Sequence, residues 1–416
     1  MNIKWLKRKV KDMKLSKNAK NAFMLGTLCA ISYFAVYIAR NILGAVTPKI
    51  IESGAFNEVE IGAMSSFYFA AYACGQLING MAGEKIKAKF MISGGLLVAG
   101  ITNFIFPYMT MSATAATAVY AVTGFSLAMI YAPMTKLVSE NTEPIHAVRC
   151  SLGYTFASFF ATPTAGLLAT FLAWQAVFTV SSSVLVVMAT VAFVFFTLFE
   201  RRGIVKYGQY EKKKEEGSVK SLIERGIVRF ALISVITGIV RTSVIFWLPT
   251  YIAQYLNFSS EESAGIYTAA TFIISLMSII AIAVYELFGR RRDLTMSVMF
   301  ALSVLFFALT YIVYAPVFNI IFIVLAIMTS NGAAAILYSV YCPSLRDTGM
   351  VSTATGFLDF VSYMAAAVAN ILFANAVSGI GWGNLILVWT GIVLAGLLCA
   401  IPYKEVKKRF FSKTEA

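Results

Sequence analysis

Two arginines, Arg40 and Arg241, stand inside long stretches of otherwise apolar sequence. Each is followed eight residues later by a proline, Pro48 or Pro249. Eight helical residues rise about 12 Å, so prolines at the edge of a roughly 30 Å apolar layer would put both guanidinium groups near its middle. A charge there is costly unless it faces water or a partner. Because the guanidinium fork binds phosphate or carboxylate through two parallel hydrogen bonds, the pair predicts an anion site that suits phosphate best.

Tyrosines accompany the first arginine. Tyr33, Tyr37 and Arg40 are spaced i, i+4 and i+7, which places them on one face of a helix. A tyrosine offers a ring for packing and a hydroxyl for hydrogen bonding. The shared face therefore favours a ligand-binding role for Tyr37, although packing alone would also explain each tyrosine.

One acid, Asp359, also lies within an apolar stretch, four residues before Tyr363 and so on the same helix face. It could bind a sugar hydroxyl or an amine, pair with an arginine, carry a proton, or serve as a structural hydrogen-bonding group. As the single acid of this kind, it cannot pair well with both arginines. The polar residues Gln76 and Asn331 are further candidates for reading the organic part of a substrate.

Other chemistry has little support. The chain has one histidine, His146, and five cysteines, none in a CxxC pair, so a metal site or a disulfide framework is not expected. It contains no GxxxxGK[ST] phosphate loop. There is no nucleophile–base pair, so we expect neither an enzyme nor a bound cofactor.

The composition indicates a membrane protein. Of the 416 residues 59% are hydrophobic and only 13% are charged, with a mean hydropathy of +0.77, whereas soluble domains are about 25% charged. These values exclude a soluble enzyme, a disordered chain and a nucleic-acid-binding domain, despite a net charge of +14. A β-barrel is disfavoured because the segments are continuously apolar rather than alternating, so the fold class is all-α.

Twelve apolar segments predict twelve membrane-spanning helices. They cover residues 22–48, 61–83, 90–109, 114–136, 147–171, 174–199, 227–254, 264–288, 294–313, 316–340, 351–375 and 382–402. With this count, 31 of the 34 lysines and arginines fall on one side of the membrane, and Lys49 alone falls on the other. Positive loops mark the cytoplasmic face, so both termini are predicted to be cytoplasmic. Glycines within the segments are expected to allow close helix contacts, among them Gly26, Gly44, Gly62, Gly153 and Gly166.

The spacing of the two arginines divides the chain. They lie 201 residues apart, close to half its length, so the first and seventh spans would be equivalent members of two pseudo-symmetric six-helix bundles. The predicted parts are a basic tail (1–21), an N-terminal bundle (22–199), a charged cytoplasmic linker (200–226), a C-terminal bundle (227–402) and a cytoplasmic tail (403–416). A short helix is possible at 218–225.

Twelve spans in matching halves resemble the major facilitator superfamily. Two loops carry the resemblance: one runs from Gly80 through Glu84 and Lys85 to Lys89, and the other from Glu286 to Arg291. The resemblance implies that Glu84, Lys85, Glu286 and Arg290 pair with helix ends and latch the cytoplasmic gate. The alternative is that these are ordinary basic loops on the inner face.

Within that superfamily the sequence resembles the organophosphate:phosphate antiporters. The matching motifs are Tyr33-x3-Tyr37-x2-Arg40-Asn41, Ala71-Tyr72-x3-Gln76-x3-Gly80, Arg241-x5-Trp247-x-Pro249-Thr250-Tyr251, Gly356-Phe357-x5-Tyr363 and Ile380-Gly381-Trp382. The resemblance implies that Arg40 and Arg241 bind the substrate phosphate, with Tyr33, Tyr37, Tyr72 and Tyr363 near it. Two positions depart from the family pattern, because Gln76 replaces a lysine and Phe156 replaces a histidine.

These observations predict a transporter that exchanges an organic phosphate ester, of the sugar phosphate or glycerol phosphate class, for inorganic phosphate by alternating access. Two uncompensated positive charges would make the empty carrier slow to convert between states. The alternatives are a proton-coupled symporter of an organic anion, with Asp359 as the proton carrier, and a non-transporting sugar-phosphate sensor. We expect a monomer in the lipid bilayer of a plasma or bacterial inner membrane, with no nucleic acid bound.

Overall fold

The computed structural model describes residues 17–82, 86–207, 219–345 and 351–401. Within these ranges every regular element is helical. Helices suit an apolar surrounding because each one satisfies its own backbone hydrogen bonds. The predicted all-α class is therefore the one observed.

The first part of the chain forms seven helices. They are α1 (Lys17–Glu52), α2 (Glu58–Ala82), α3 (Ala88–Ile105), α4 (Ala113–Leu127), α5 (Tyr131–Asn141), α6 (Pro144–Phe171) and α7 (Trp174–Arg201), with a 3-10 turn at Phe106–Tyr108 after α3. The predicted segment 114–136 is thus divided, since α4 ends at Leu127 and α5 begins at Tyr131.

The second part is less regular. It contains α8 (Val219–Glu224), α9 (Ile227–Gly238), α10 (Ile245–Gln254), α11 (Ser260–Leu287), α12 (Arg292–Ile312), α13 (Pro316–Ile336), α14 (Cys342–Ser344) and α15 (Val351–Ala400). A π-helical turn at Ile239–Val244 joins α9 to α10, and a second one at Leu337–Tyr341 joins α13 to α14. The short helix expected at 218–225 is present as α8.

In the part of the chain that the structure describes, nine helical stretches are long and apolar enough to cross a membrane. One of them, Thr353–Ala400, covers the last two predicted segments. Gly381 interrupts it with a φ of 76°, a left-handed conformation that favours glycine. Large apolar side chains in the middle of helices, such as Val187 (59% exposed) and Ile279 (55% exposed), lie on the outer surface of the helix assembly, where they would face lipid.

Two helices begin with the same reciprocal cap. Asn57 Oδ1 accepts from the Glu60 amide while the Glu60 carboxylate accepts from the Asn57 amide, at the start of α2. Ser259 and Glu262 make the same exchange at the start of α11. Such capping boxes satisfy amide groups that a helix start leaves unpaired. The two caps lie 202 residues apart, nearly the separation of the two arginines.

At three of the helix pairs where the first and second parts of the chain meet, a glycine of the first part lies in the contact. A Cβ added at Gly62 would lie 2.5 Å from Ala374 Cβ, and one added at Gly166 would lie 2.3 Å from Thr268 Oγ1. A Cβ at Gly44 would lie 2.9 Å from the Phe246 ring. These spaces are too small for a side chain, so α2 approaches α15, α6 approaches α11 and α1 approaches α10 at backbone distance.

The five glycines predicted to allow close contact do not all do so. Gly26 does, since an added Cβ would lie 2.5 Å from Cys150 Sγ. At Gly153 an added Cβ would meet nothing within 4 Å among the described atoms, so the prediction for that position is wrong there.

Candidate anion-binding site

Arg40 lies on α1 and is 9% exposed. Its Nη1 donates a hydrogen bond of 3.0 Å to the Tyr363 hydroxyl. Its guanidinium carbon lies 5.1 Å from the centre of the Tyr37 ring, 5.4 Å from Phe69, 5.2 Å from Tyr72 and 4.7 Å from Tyr363. Aromatic faces attract a cation at such distances. Among the described residues no carboxylate lies within salt-bridge distance of Arg40, so none of its five N–H donors has an acidic partner there.

Arg241 lies in the π-helical turn Ile239–Val244 and is half-buried. Its Nη2 is 3.9 Å from Asp359 Oδ1, and its guanidinium carbon lies 5.4 Å from the Tyr338 ring centre. This Nη2 is buried and makes no hydrogen bond to any described atom. A buried donor without a partner is costly, so Arg241 has hydrogen-bonding capacity that an anion would satisfy.

Tyr363 joins the two arginines. The centre of its ring is 4.7 Å from the Arg40 guanidinium carbon and 5.8 Å from that of Arg241. The two guanidinium carbons can therefore be no farther apart than these two distances combined. The structure thus brings Arg40 and Arg241, from opposite parts of the chain, to one location.

The other predicted tyrosines surround this location. The Tyr33 and Tyr37 hydroxyls are 3.4 Å apart, and Tyr72 packs edge-on against Tyr363 with ring centres 5.1 Å apart. Gln76 lies one helical turn beyond Tyr72 on α2 and is half-buried. The six side chains named by the sequence around the arginine pair, including Asp359, lie on α1, α2 and α15, and each of these helices has a residue in contact with one of the arginines.

Some residues of the site did not stand out in the sequence. Phe69 packs on Arg40, and Tyr338 packs on Arg241. Tyr131 and Tyr154 extend the aromatic wall beyond Tyr33, with ring centres 5.4 Å and 6.0 Å from it. Phe69 could have been found because it lies three residues before Tyr72. The others come from helices whose facing could not be read from one apolar sequence.

Backbone geometry positions the second arginine. A Cβ at Gly238 would lie 2.2 Å from Ser362 Oγ, so the end of α9 touches α15 directly. Ser243 Oγ donates to the Ala366 carbonyl at 3.0 Å, on the next turn of α15. Between these contacts the chain makes a π-helical turn, an irregularity that often occurs at functional sites. The turn presents Arg241 to Asp359 and Tyr363.

The charge of the site differs from the expectation of two uncompensated arginines. Asp359 lies beside Arg241, so the three charged side chains carry a formal net charge of one rather than two.

Asn331 Oδ1 on α13 is buried with no hydrogen bond to a described atom.

The predicted gate residues give a mixed picture. Glu84 and Lys85 lie outside the described residues. Glu286 and Arg290 pair with each other at 3.7 Å, within one turn of chain, and their side chains are 62% and 75% exposed. Exposed pairs of this kind contribute little to stability. Between α2 and α3, Lys87 Nζ lies 2.6 Å from Glu200 Oε1 at the end of α7. Lys89 pairs with the other oxygen of the same carboxylate.

Comparison with known proteins agrees with this architecture. A family model for the Major Facilitator Superfamily matches residues 29–370. The glycerol-3-phosphate transporter of Bacillus subtilis (strain 168) is 21% identical over 408 residues, covering 91% of each chain. The glucose-6-phosphate exchanger SLC37A2 of Bos taurus is 20% identical over 410 residues, covering 83% of this chain and 81% of the relative. Both relatives agree with the resemblance to organophosphate:phosphate antiporters.

A solved structure shows the same fold. The bacterial homologue of the human lysosomal transporter Spinster, in an inward-facing and occupied conformation, superposes with a TM-score of 0.71 at 13% identity. The match covers 92% of this chain and 97% of that one.

Proposed function

This chain belongs to the Major Facilitator Superfamily, and we propose that it exchanges an organic phosphate ester for inorganic phosphate across a membrane. Like its relatives, it is a multi-pass membrane transporter and not an enzyme. The named relatives handle glycerol 3-phosphate and glucose 6-phosphate, so the substrate we propose is a phosphate ester of a sugar or of glycerol.

The observation that carries the proposal is the pair of guanidinium groups around Tyr363. Arg40 reaches the Tyr363 hydroxyl at 3.0 Å, and Arg241 Nη2 has no hydrogen-bond partner among the described atoms. A phosphate offers several acceptor oxygens and nearly two negative charges, so it can accept from both arginines at once. Tyr33, Tyr37, Tyr72, Gln76 and Asp359 would contact the ligand around this clamp.

We assign the chain twelve spans in two six-helix halves, 22–199 and 227–402, joined by the linker 200–226, with both termini cytoplasmic. The paired arginines and the paired capping boxes, each about half the chain apart, support two equivalent halves. An arrangement of repeats around a central site suits alternating access, in which the halves rock about the ligand. Both arginines of the site come from one chain, and we propose a monomer as the working unit.

On the side opposite the basic loops, polar contacts join the two halves. Gln254 Nε2 donates to Glu58 Oε1 at 2.7 Å, and Asn370 Nδ2 donates to Ser65 Oγ at 2.8 Å. Ser260 donates to the Glu52 carboxylate. We propose that these bonds and the three glycine contacts together form the outer gate of the transporter, in its closed state.

Exchange follows from electrostatics. Without a ligand the site holds an excess positive charge in a low-dielectric surrounding, which makes conversion between the two states costly. Bound phosphate removes that excess positive charge and connects the two halves. If only loaded carriers convert readily, every anion that enters is matched by one that leaves.

The test is to substitute Arg40→Lys and Arg241→Lys separately. Each change keeps the charge but removes the planar fork. We expect each variant to fold yet to lose most phosphate-coupled uptake, measured with radiolabelled phosphate in proteoliposomes loaded with phosphate. Arg225→Lys, at an exposed residue just after the end of α8, is the matched control and should exchange normally. Full activity of either clamp variant would disprove the function proposed here.

Proton-coupled uptake of an organic anion is the second candidate, favoured by Asp359 beside Arg241. Counterflow without a pH gradient separates the two functions. An antiporter needs internal phosphate and no gradient, whereas a symporter needs the gradient and no internal phosphate.

A further inference from the structure

Asp359 and Arg241 form a loose ion pair inside the site. Their closest oxygen–nitrogen distance is 3.9 Å, longer than a hydrogen bond, and each side chain is 32% exposed. Both charged groups therefore line the space around the clamp formed by Arg40 and Arg241, and no hydrogen bond joins them. The same Arg241 nitrogen that faces Asp359 is the one without a hydrogen-bond partner among the described atoms.

Several other groups face Asp359 from the helices around it. They are Tyr338 from the second π-helical turn, Tyr363 from the next turn of α15, Tyr131 from α5, Cys342 from α14 and Arg40 from α1. Apart from the two arginines, these groups are neutral at physiological pH. Asp359 is therefore the one acidic charge among them.

A phosphate dianion on the clamp and an ionised Asp359 would oppose each other. The ligand would take the donor of Arg241 that faces Asp359, and the carboxylate would then lie close to phosphate oxygens. Two like charges within a few ångströms in a poorly solvated site cannot easily both stay ionised. The charge count agrees, since two arginines and one ionised acid carry one net positive charge, which a dianion exceeds.

We propose that Asp359 is a proton-binding site linked to phosphate, so that the dianionic substrate is bound together with one proton. The proton comes from water and resides on the Asp359 carboxylate while phosphate occupies the clamp. The loaded site then has two arginines against a dianion and is neutral. This inference rests on the proposed function and adds the proton to it.

Thermodynamic linkage between proton binding at Asp359 and phosphate binding has a measurable consequence. If phosphate binding favours the protonated acid, protonation must favour phosphate binding by the same factor. Inorganic phosphate titrates too, so the wild-type pH profile alone is ambiguous. Comparison with Asp359→Asn removes this ambiguity, because the ligand is the same and the amide imitates the protonated acid at every pH.

The experiment is calorimetric titration of inorganic phosphate into purified wild type and Asp359→Asn, at pH 5.5 and at pH 8. We expect the variant to bind phosphate about ten-fold more tightly than wild type at pH 8, the effect of one pH unit of linkage. At pH 5.5 the two affinities should be nearly equal. Asp359→Glu keeps a titrating carboxyl, so it should bind phosphate more tightly relative to Asp359→Asn at pH 5.5 than at pH 8, whatever its absolute affinity.

The control is Asp293→Asn. Asp293 also pairs with an arginine, Arg229, at 3.0 Å, but on α12 away from the clamp. This variant should match wild type at both pH values. The proposal is overturned if the ratio of wild-type to Asp359→Asn affinity is the same at both pH values, or if the variant binds more weakly at pH 8, as it would if Asp359 only oriented Arg241. Wild type that binds no phosphate at any pH would instead overturn the function proposed above, and this inference with it.

Discussion

At the scale of single residues, Tyr363 is the centre of the site. Its hydroxyl accepts from Arg40, and its ring lies within 6 Å of both guanidinium groups. A ring between two cations reduces their repulsion through the negative charge of its face. In the proposed function, Tyr363 therefore holds the two arginines ready for an anion, and its own hydroxyl donates a hydrogen bond to that ligand.

Removing that hydroxyl gives a sharp prediction. Tyr363→Phe keeps the ring but loses one hydrogen bond to a charged group, which contributes about 1.5–3 kcal/mol. We expect phosphate affinity to fall by about ten-fold or more, measured by calorimetric titration, with little change in melting temperature. Tyr108→Phe removes an exposed hydroxyl on the outer surface and should change neither quantity. Unchanged affinity in Tyr363→Phe would mean that this hydroxyl does not shape the site.

At the scale of helices, the position of each charge depends on irregular backbone. Arg241 and Tyr338 both lie in π-helical turns, and Gly238 lets the first of these turns approach α15. Regular helices would rotate these side chains away from Tyr363, because one added residue per turn shifts the helix face. The same reliance on close backbone contact appears between the halves, at Gly44, Gly62 and Gly166.

The glycine contacts predict that closure of the outer gate is sensitive to a single methyl group. Gly62→Ala would place a Cβ 2.5 Å from Ala374 Cβ, so the outward-closed conformation would be strained. Overpacking of this kind costs about 1–3 kcal/mol, enough to slow phosphate exchange about ten-fold. Initial exchange rates in proteoliposomes measure the effect.

The matched control for that change is Gly94→Ala on α3, where an added Cβ meets no described atom within 4 Å. Both changes raise helix propensity equally, so only the contact between the halves distinguishes them. Gly94→Ala should exchange at the wild-type rate. Equal rates in both variants would show that α2 and α15 do not close tightly during transport.

At the scale of the whole molecule, the proposed alternating access requires the two halves to separate on the outer side. In this conformation they are held there by hydrogen bonds such as Asn370 to Ser65. If alternating access operates, these bonds must break and reform in every cycle. A covalent bond in their place would stop the cycle without touching the clamp.

The corresponding prediction uses the double variant Ser65→Cys/Asn370→Cys. Their side chains meet at 2.8 Å in the native protein, so the introduced thiols should lie close enough to form a disulfide. Oxidation is expected to abolish phosphate exchange, and a reductant should restore it. Each single variant should resist oxidation, which accounts for the native cysteines. Continued exchange by the oxidised, cross-linked protein would contradict alternating access through this gate.

Much of this protein follows from its sequence alone. Apolar runs of spanning length dictate helices, because lipid offers backbone groups no other partner. Two arginines half a chain apart predict a repeated fold and an anionic ligand, since an isolated charge in an apolar run needs a ligand or a partner. The tyrosines spaced with Arg40 and the acid spaced with Tyr363 could also be assigned to shared helix faces, because helix periodicity is local.

The tertiary structure decided which residues of different helices lie together, because helix periodicity cannot predict contacts between helices. Only packing shows that Asp359 lies against Arg241 and that Tyr363 lies against both arginines, because these pairs come from different helices. The π-helical turns that aim Arg241 and Tyr338 leave no pattern in the sequence, and which glycines lie between the halves depends on how whole helices meet. The helix face on which a residue lies follows from its position along its own helix. The distance between two helices, in contrast, is set by every side chain along their contact.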